Sequence, residues 1–210
     1  MAFEIELKLT APDAALLDRI AALDSLAGYP LRPLGRVRIH DTAFDTPDHR
    51  LYRGHAVLRL REKGVRRYLT FKAHAESSGS YYRRIEEESP TEATAGDIAG
   101  GRLPAIPSAA MFRERFGAVT LAPVLSTVND RRLFHLLREG APVYELALDD
   151  VTFTGPRGTA RAFEVEVEAL TADHGDLDEI GAWLTERFGL KQAGASKFAL
   201  GMELVGEVQT

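Results

Sequence analysis

Arg161-Ala162-Phe163-Glu164-Val165-Glu166-Val167-Glu168-Ala169-Leu170 is the stretch on which the fold turns. Successive side chains of a strand point to opposite faces. Phe163, Val165 and Val167 therefore share one face, and Glu164, Glu166 and Glu168 share the other. Same-face neighbours lie roughly 7 Å apart. Three carboxylates in such a row repel one another, and a folded chain tolerates them best with a cation between them.

The same alternation recurs along the chain. Glu4, Glu6 and Lys8 oppose Phe3, Ile5, Leu7 and Leu9. Arg59, Arg61 and Lys63 oppose Leu58 and Leu60, while Thr70 and Lys72 oppose Leu69 and Phe71. Arg84, Glu86 and Glu88 share a face, as do Glu145 and Asp149 opposite Tyr144, Leu146 and Leu148. For one strand alone, charge alternating with apolar residues reads as the wet face of an antiparallel sheet. Taken together, the runs of like charge point elsewhere. Acids cluster on some strands and bases on others, a pattern that a cation and a polyanion would neutralise together. The expected architecture is α+β: an eight-stranded antiparallel β-barrel, a tunnel with a charged lumen, with helices packed on an apolar exterior. A barrel of that size has room for side chains and one small ligand.

The strands are expected at 1–9, 37–44, 56–63, 67–73, 82–89, 124–137, 143–153 and 161–170. A first helix is expected to start at Thr10 as its cap, with Pro12 in its first turn and Leu16, Leu17, Ile20 and Leu23 as its stripe. Residues 176–188 read as an amphipathic helix. Residues 90–118 read as a helical insertion between strands within one domain spanning 1–205, followed by a short tail at 206–210.

Composition narrows the chemistry. The 210 residues contain no cysteine, so disulfides and thiolate metal sites are excluded. Any metal must take oxygen or imidazole ligands, which favours Mg²⁺ or Mn²⁺. The six histidines are scattered without metal-ligand spacing. The net charge of −5 argues against broad nucleic-acid binding. No apolar run approaches the roughly 20 residues of a membrane span, and the N-terminus lacks a signal-peptide pattern, so a cytoplasmic protein is expected. No G-x-x-x-x-G-K-[ST] phosphate loop occurs.

Several segments, in order, resemble the CYTH superfamily of triphosphate tunnel metalloenzymes. Glu4-Ile5-Glu6-Leu7-Lys8 is similar to its opening E-x-E-x-K. Phe44-Asp45-Thr46-Pro47 with Leu51, Leu58-Arg59-Leu60-Arg61, Thr70-Phe71-Lys72 and Arg84-Ile85-Glu86 resemble successive later segments. Leu148-Asp149, Glu164 to Glu168 and Ser196-Lys197-Phe198 complete the series. The resemblance implies metal binding by Glu4, Glu6, Glu86, Asp149, Glu164, Glu166 and Glu168. It implies triphosphate contacts from Lys8, Arg59, Arg61, Lys72, Arg84, Arg131 and Lys197, with Lys8, Glu6, Arg59 and Glu168 nearest the chemistry. Of two adjacent arginines, Arg131 is favoured over Arg132 as inward-facing because it shares parity with Thr127 and Asn129. The implied activity is hydrolysis of a triphosphate, inorganic triphosphate first. Thiamine triphosphate hydrolysis, a class IV adenylate cyclase and a non-catalytic polyphosphate-binding module stay open. The expected partner is a triphosphate-containing small molecule, with neither membrane nor nucleic acid; a homodimer stays open.

Overall fold

The computed structural model describes residues 3–78, 81–171 and 175–207, with side chains left aside at 3–4, 74–78 and 81–85. Its elements begin with β1 (Phe3–Ala11), α1 (Ala14–Ala21), β2 (Ser25–Leu26), β3 (Tyr29–Asp45), α2 (Arg50–Arg53), β4 (Ala56–Lys63), β5 (Arg66–Ser78) and β6 (Tyr81–Pro90). They continue with α3 (Ala95–Ala99), α4 (Pro107–Phe116), β7 (Ala122–Arg138), β8 (Ala141–Gly155), β9 (Gly158–Ala169), α5 (Leu177–Phe188), β10 (Lys191–Gln192) and α6 (Lys197–Val205).

Eight long antiparallel strands follow the order β1-β6-β5-β4-β3-β7-β8-β9, and β9 pairs back onto β1 to close the ring. The two further strands, β2 and β10, are two residues each and cap the edges of β3 and β1. The expected eight-stranded barrel is thus present, within a sheet of ten strands. Closure leaves none of the eight with a long open edge.

Register follows the alternation read from the sequence. Leu7, Leu9, Tyr144, Leu146, Leu148, Val165 and Val167 turn outward and are buried under α1 and α5, with Leu16, Leu17, Ile20, Ile180 and Leu184. Leu58, Leu60, Leu69 and Phe71 turn outward on the opposite flank, under α3 and α4, with Ile98 and Phe112. Each buried side chain of this size contributes about 1.5–3 kcal/mol, so these two layers fix the orientation of every strand beneath them.

One end departs from the expected plan. Val151 and Phe153 share the parity of Asp149, and Leu125 that of Arg131, so they point into the barrel. There they meet Phe198, Met202 and Val205 of α6. The charged lumen therefore stops partway, and α6 closes the remainder with apolar packing. The fit needs Gly201, where an added Cβ would stand 2.5 Å from Leu125 and 2.7 Å from Phe153.

Two local expectations are corrected. Thr10 is not a helix cap: β1 runs through Ala11, and Asp13 caps α1 by accepting from Leu16 N at 2.8 Å. β3 starts at Tyr29 rather than residue 37, because the sheet absorbs Pro33 and Gly35 as a register shift against β7. The Phe44-Asp45-Thr46-Pro47 segment also has a local cause. Asp45 is fully buried and accepts from the backbone N–H groups of Thr46, Leu51 and Tyr52 at 2.7–2.9 Å, fixing the start of α2.

Candidate functional site: a charged tunnel

The lumen between these packed layers is a cavity of about 340 Å³. Glu6, Lys8, Glu166 and Glu168 enter it from β1 and β9; Arg59, Arg61, Lys72 and Glu86 enter from β4, β5 and β6; Arg131 and Lys197 enter from β7 and α6. Asp149 and Glu164 lie behind Lys197, 0 % and 1 % exposed. Glu4 and Arg84 pair in register across β1 and β6, with side chains outside the described set.

Two charge clusters occupy opposite walls. In the first, Lys197 Nζ lies 2.7 Å from Asp149, 2.6 Å from Glu164 and 2.5 Å from Glu166. Lys8 Nζ lies 2.6 Å from Glu166. Arg131 grips Asp149 through two bonds of 2.7 Å and reaches Glu166 at 2.5 Å. Arg132 points outward to Asp18, which settles the arginine pair in favour of Arg131. Burial alone would push Lys8 and Lys197 toward the neutral form, but the surrounding carboxylates overcome it and raise both. Burial works against ionisation of Glu166 too, yet Lys197, Lys8 and Arg131 hold it well below the usual carboxylate range. Lys8, Lys197 and Glu166 are therefore charged at neutral pH.

In the second cluster, Lys72 lies 2.5 Å from Glu86, and Arg59 and Arg61 approach Glu86 and Glu88 at 3.7 and 3.6 Å. Asp41 of β3 holds Arg61 by two bonds of 2.9 Å and stands 3.3 Å from Arg59. Asp41 was missed in the sequence. Its inward neighbours Ile39 and Ala43 are apolar while the outward His40 and Thr42 are polar, so the alternation there hides the lumen face.

The donor set suits a hard divalent cation. Carboxylate oxygens of Asp149, Glu164 and Glu166 lie within 4.8 Å of one another. Both Glu164 oxygens lack a hydrogen bond, although Lys197 stands close to one of them. A second carboxylate row crosses three strands, with Glu168 of β9 in register with Glu6 of β1 and Glu145 of β8. Directly opposed side chains of this kind have Cβ atoms about 4.5–5.5 Å apart, a spacing that one ion bridges. Glu86 is drawn instead into the basic wall.

A CYTH domain is matched over residues 2–200. The chain belongs to the CYTH domain family. Among solved structures, a Hippeastrum protein proposed as an adenylyl cyclase and described as having dominant triphosphatase activity is 20% identical, with a TM-score of 0.70 over 96% of both chains. A Bacillus halodurans protein proposed as an adenylate cyclase is 17% identical, with a TM-score of 0.67 over 94% of this chain and 96% of that one. A Pyrococcus horikoshii protein is 17% identical, with a TM-score of 0.58 over 95% and 98%. At these identities the likeness shows the fold. A comparison with curated proteins finds no match. Among the described residues of this CYTH protein, no helix is long and apolar enough to cross a membrane.

Proposed function

We propose that this CYTH protein is a metal-dependent triphosphatase of the cytoplasm that cleaves the terminal phosphoryl group of a triphosphate, with inorganic triphosphate as its simplest substrate. The observation that carries the reading is the pairing of two walls across one cavity: Arg59, Arg61 and Lys72 face the carboxylates of β1 and β9. A metal–polyphosphate complex matches both walls: the phosphate chain meets the arginines and Lys72, and the cation meets the row of Glu6, Glu145 and Glu168.

Glu4, Glu6 and Glu168 would hold Mg²⁺ or Mn²⁺, with Asp149, Glu164 and Glu166 as a second carboxylate group. Bound there, the metal would polarise phosphate oxygens and acidify water. Arg59 and Arg61 would take up phosphate oxygens by exchanging their longer contacts to Glu86 and Glu88, and Lys72 would share its ammonium between Glu86 and the phosphate chain. Arg131 and Lys197 would neutralise charge as the leaving group departs. Lys8, fixed between Glu6 and Glu166, would orient the carboxylates and contact the phosphate chain. The role assigned to Glu86 is that of a partner to Lys72 rather than a metal ligand.

A second reading, an organic triphosphate, rests on a separate observation. A cavity of about 460 Å³ adjoins the tunnel, sharing Val57, Lys72, Ser196 and Phe198 with it. Tyr52 and Phe198 meet edge to face there at 6.2 Å. Such a pocket would seat the thiamine or adenosine group of thiamine triphosphate or ATP. A panel of inorganic triphosphate, thiamine triphosphate, ATP and longer polyphosphate, each with Mg²⁺ or Mn²⁺, separates these substrates. Cyclic AMP from ATP would identify a cyclase, and tight polyphosphate binding without phosphate release would identify a binding module.

A further inference from the structure

Arg59 and Arg61 sit two residues apart on one face of β4, and two guanidinium groups so close repel each other. Neither has a fixed orientation unless something between them supplies one. Asp41 lies opposite Arg61 in the β3–β4 register and spans both. Its Oδ1 accepts from Arg61 Nε and its Oδ2 from Arg61 Nη2, both at 2.9 Å. The same Oδ2 is 3.3 Å from Arg59 Nη1.

The two hydrogen bonds to Arg61 differ in kind from the remaining contacts of the pair, which are ion pairs alone. Arg61 Nη1 stands 3.6 Å from Glu88, and Arg59 Nη2 stands 3.7 Å from Glu86, too far for hydrogen bonds. Arg59 Nε is buried and has no hydrogen-bond acceptor. The planar fork of Arg61 is thus anchored on its Nε side, and its remaining edge is turned toward the tunnel. An arriving phosphate chain can displace the long contacts without touching the anchor.

We infer that Asp41 is a positioning residue for the arginine pair: it fixes the Arg61 guanidinium by two hydrogen bonds and draws Arg59 toward the same carboxylate by charge, so that the transferring phosphoryl group meets donors already aimed at it. The inference rests on the triphosphatase reading for its catalytic consequence, while the arginine ordering itself does not. The alternative is that Asp41 only balances charge. The two differ in sign. Asp41 lowers the positive charge of the wall, so its removal should leave triphosphate binding as tight or tighter. Disordered donors should nevertheless slow the chemical step, since misplacement by about 1 Å can cost on the order of a hundredfold.

The experiment compares wild type, Asp41→Asn and Asp41→Glu in steady-state hydrolysis of inorganic triphosphate, with ¹⁵N NMR of the arginine Nε–H groups as a second readout. The expected result for Asp41→Asn is a kcat lower by about 10- to 100-fold with KM unchanged or reduced, and loss of the slowly exchanging Arg61 Nε–H signal. Asp41→Glu should recover part of both. A raised KM with kcat intact would overturn the inference. If wild type hydrolyses no triphosphate, the proposed function fails by itself. The Nε–H signal then decides alone: its persistence in Asp41→Asn overturns the positioning role, and its loss supports it.

Discussion

Lys8 Nζ and Glu166 Oε1 stand 2.6 Å apart, directly across the β1–β9 seam that closes the barrel. The pairing that removes the last sheet edge is therefore also part of the tunnel wall, and the site exists only when the barrel is shut. Glu166→Gln leaves Lys8, among the described ion pairs, only its 3.6 Å contact to Glu6. Breaking a buried pair in this way typically costs about 3–5 kcal/mol. We expect a loss of that order in urea unfolding, with part of it recovered in Lys8→Met/Glu166→Gln. Full additivity of the two single changes would show that the seam does not depend on this contact.

Asp45 makes a prediction about stability alone. Its buried carboxylate accepts three backbone N–H groups, and each stranded donor costs about 1–3 kcal/mol. Asp45→Ala should lower unfolding stability by about 3 kcal/mol or more, read by thermal or urea denaturation. An unchanged Tm would contradict the assigned role.

The contrast between these residues shows what the sequence made legible. A period of two is imposed by the strand itself, so the inward set Glu6, Lys8, Arg59, Arg61, Glu166 and Glu168 could be read from alternation with outward Leu7, Leu58, Leu60 and Val167. Asp41 escaped because its strand inverts that alternation. The role of α6 escaped for another reason. An apolar stripe on a helix does not say which face of a sheet it covers, and Phe198 and Met202 cover the inside. Lys197, at the first position of α6, would pass for a surface lysine, yet it is carried into the lumen by the helix that fills the barrel end. Pro33 and Gly35 lie before the strand expected from residue 37, and only pairing with β7 shows that β3 runs through them.

The same plug gives a packing test. A methyl group at position 201 would collide with Leu125 and Phe153. Overpacking of this kind costs about 1–3 kcal/mol, so Gly201→Ala should be destabilised by that amount in denaturant unfolding. A neutral or stabilising change would mean that α6 does not sit tightly inside the barrel.

Asp41 also sets a pH dependence. Burial would raise its carboxyl, but Arg59 and Arg61 outweigh that and lower it from the ordinary 3.8 to about 2. Between these values the unfolded chain binds more protons than the folded one. The stabilisation is therefore fully present above about pH 4 and is lost as pH falls toward 2. A shift of this size corresponds to about 2 kcal/mol. The stability difference between wild type and Asp41→Asn, measured by urea unfolding at pH 5 and pH 2.5, should shrink by about 1.5 kcal/mol, most of that contribution. A difference independent of pH would contradict the proposed charge pairing.

The most direct test of the central claim is release of orthophosphate from inorganic triphosphate by wild type and by Glu6→Gln and Glu168→Gln. We expect release that requires Mg²⁺ or Mn²⁺, stops on chelation, and falls by about a hundredfold or more in both variants while their Tm stays near that of wild type. Undiminished release from the two variants, or no release by wild type from any triphosphate with either metal, would contradict it.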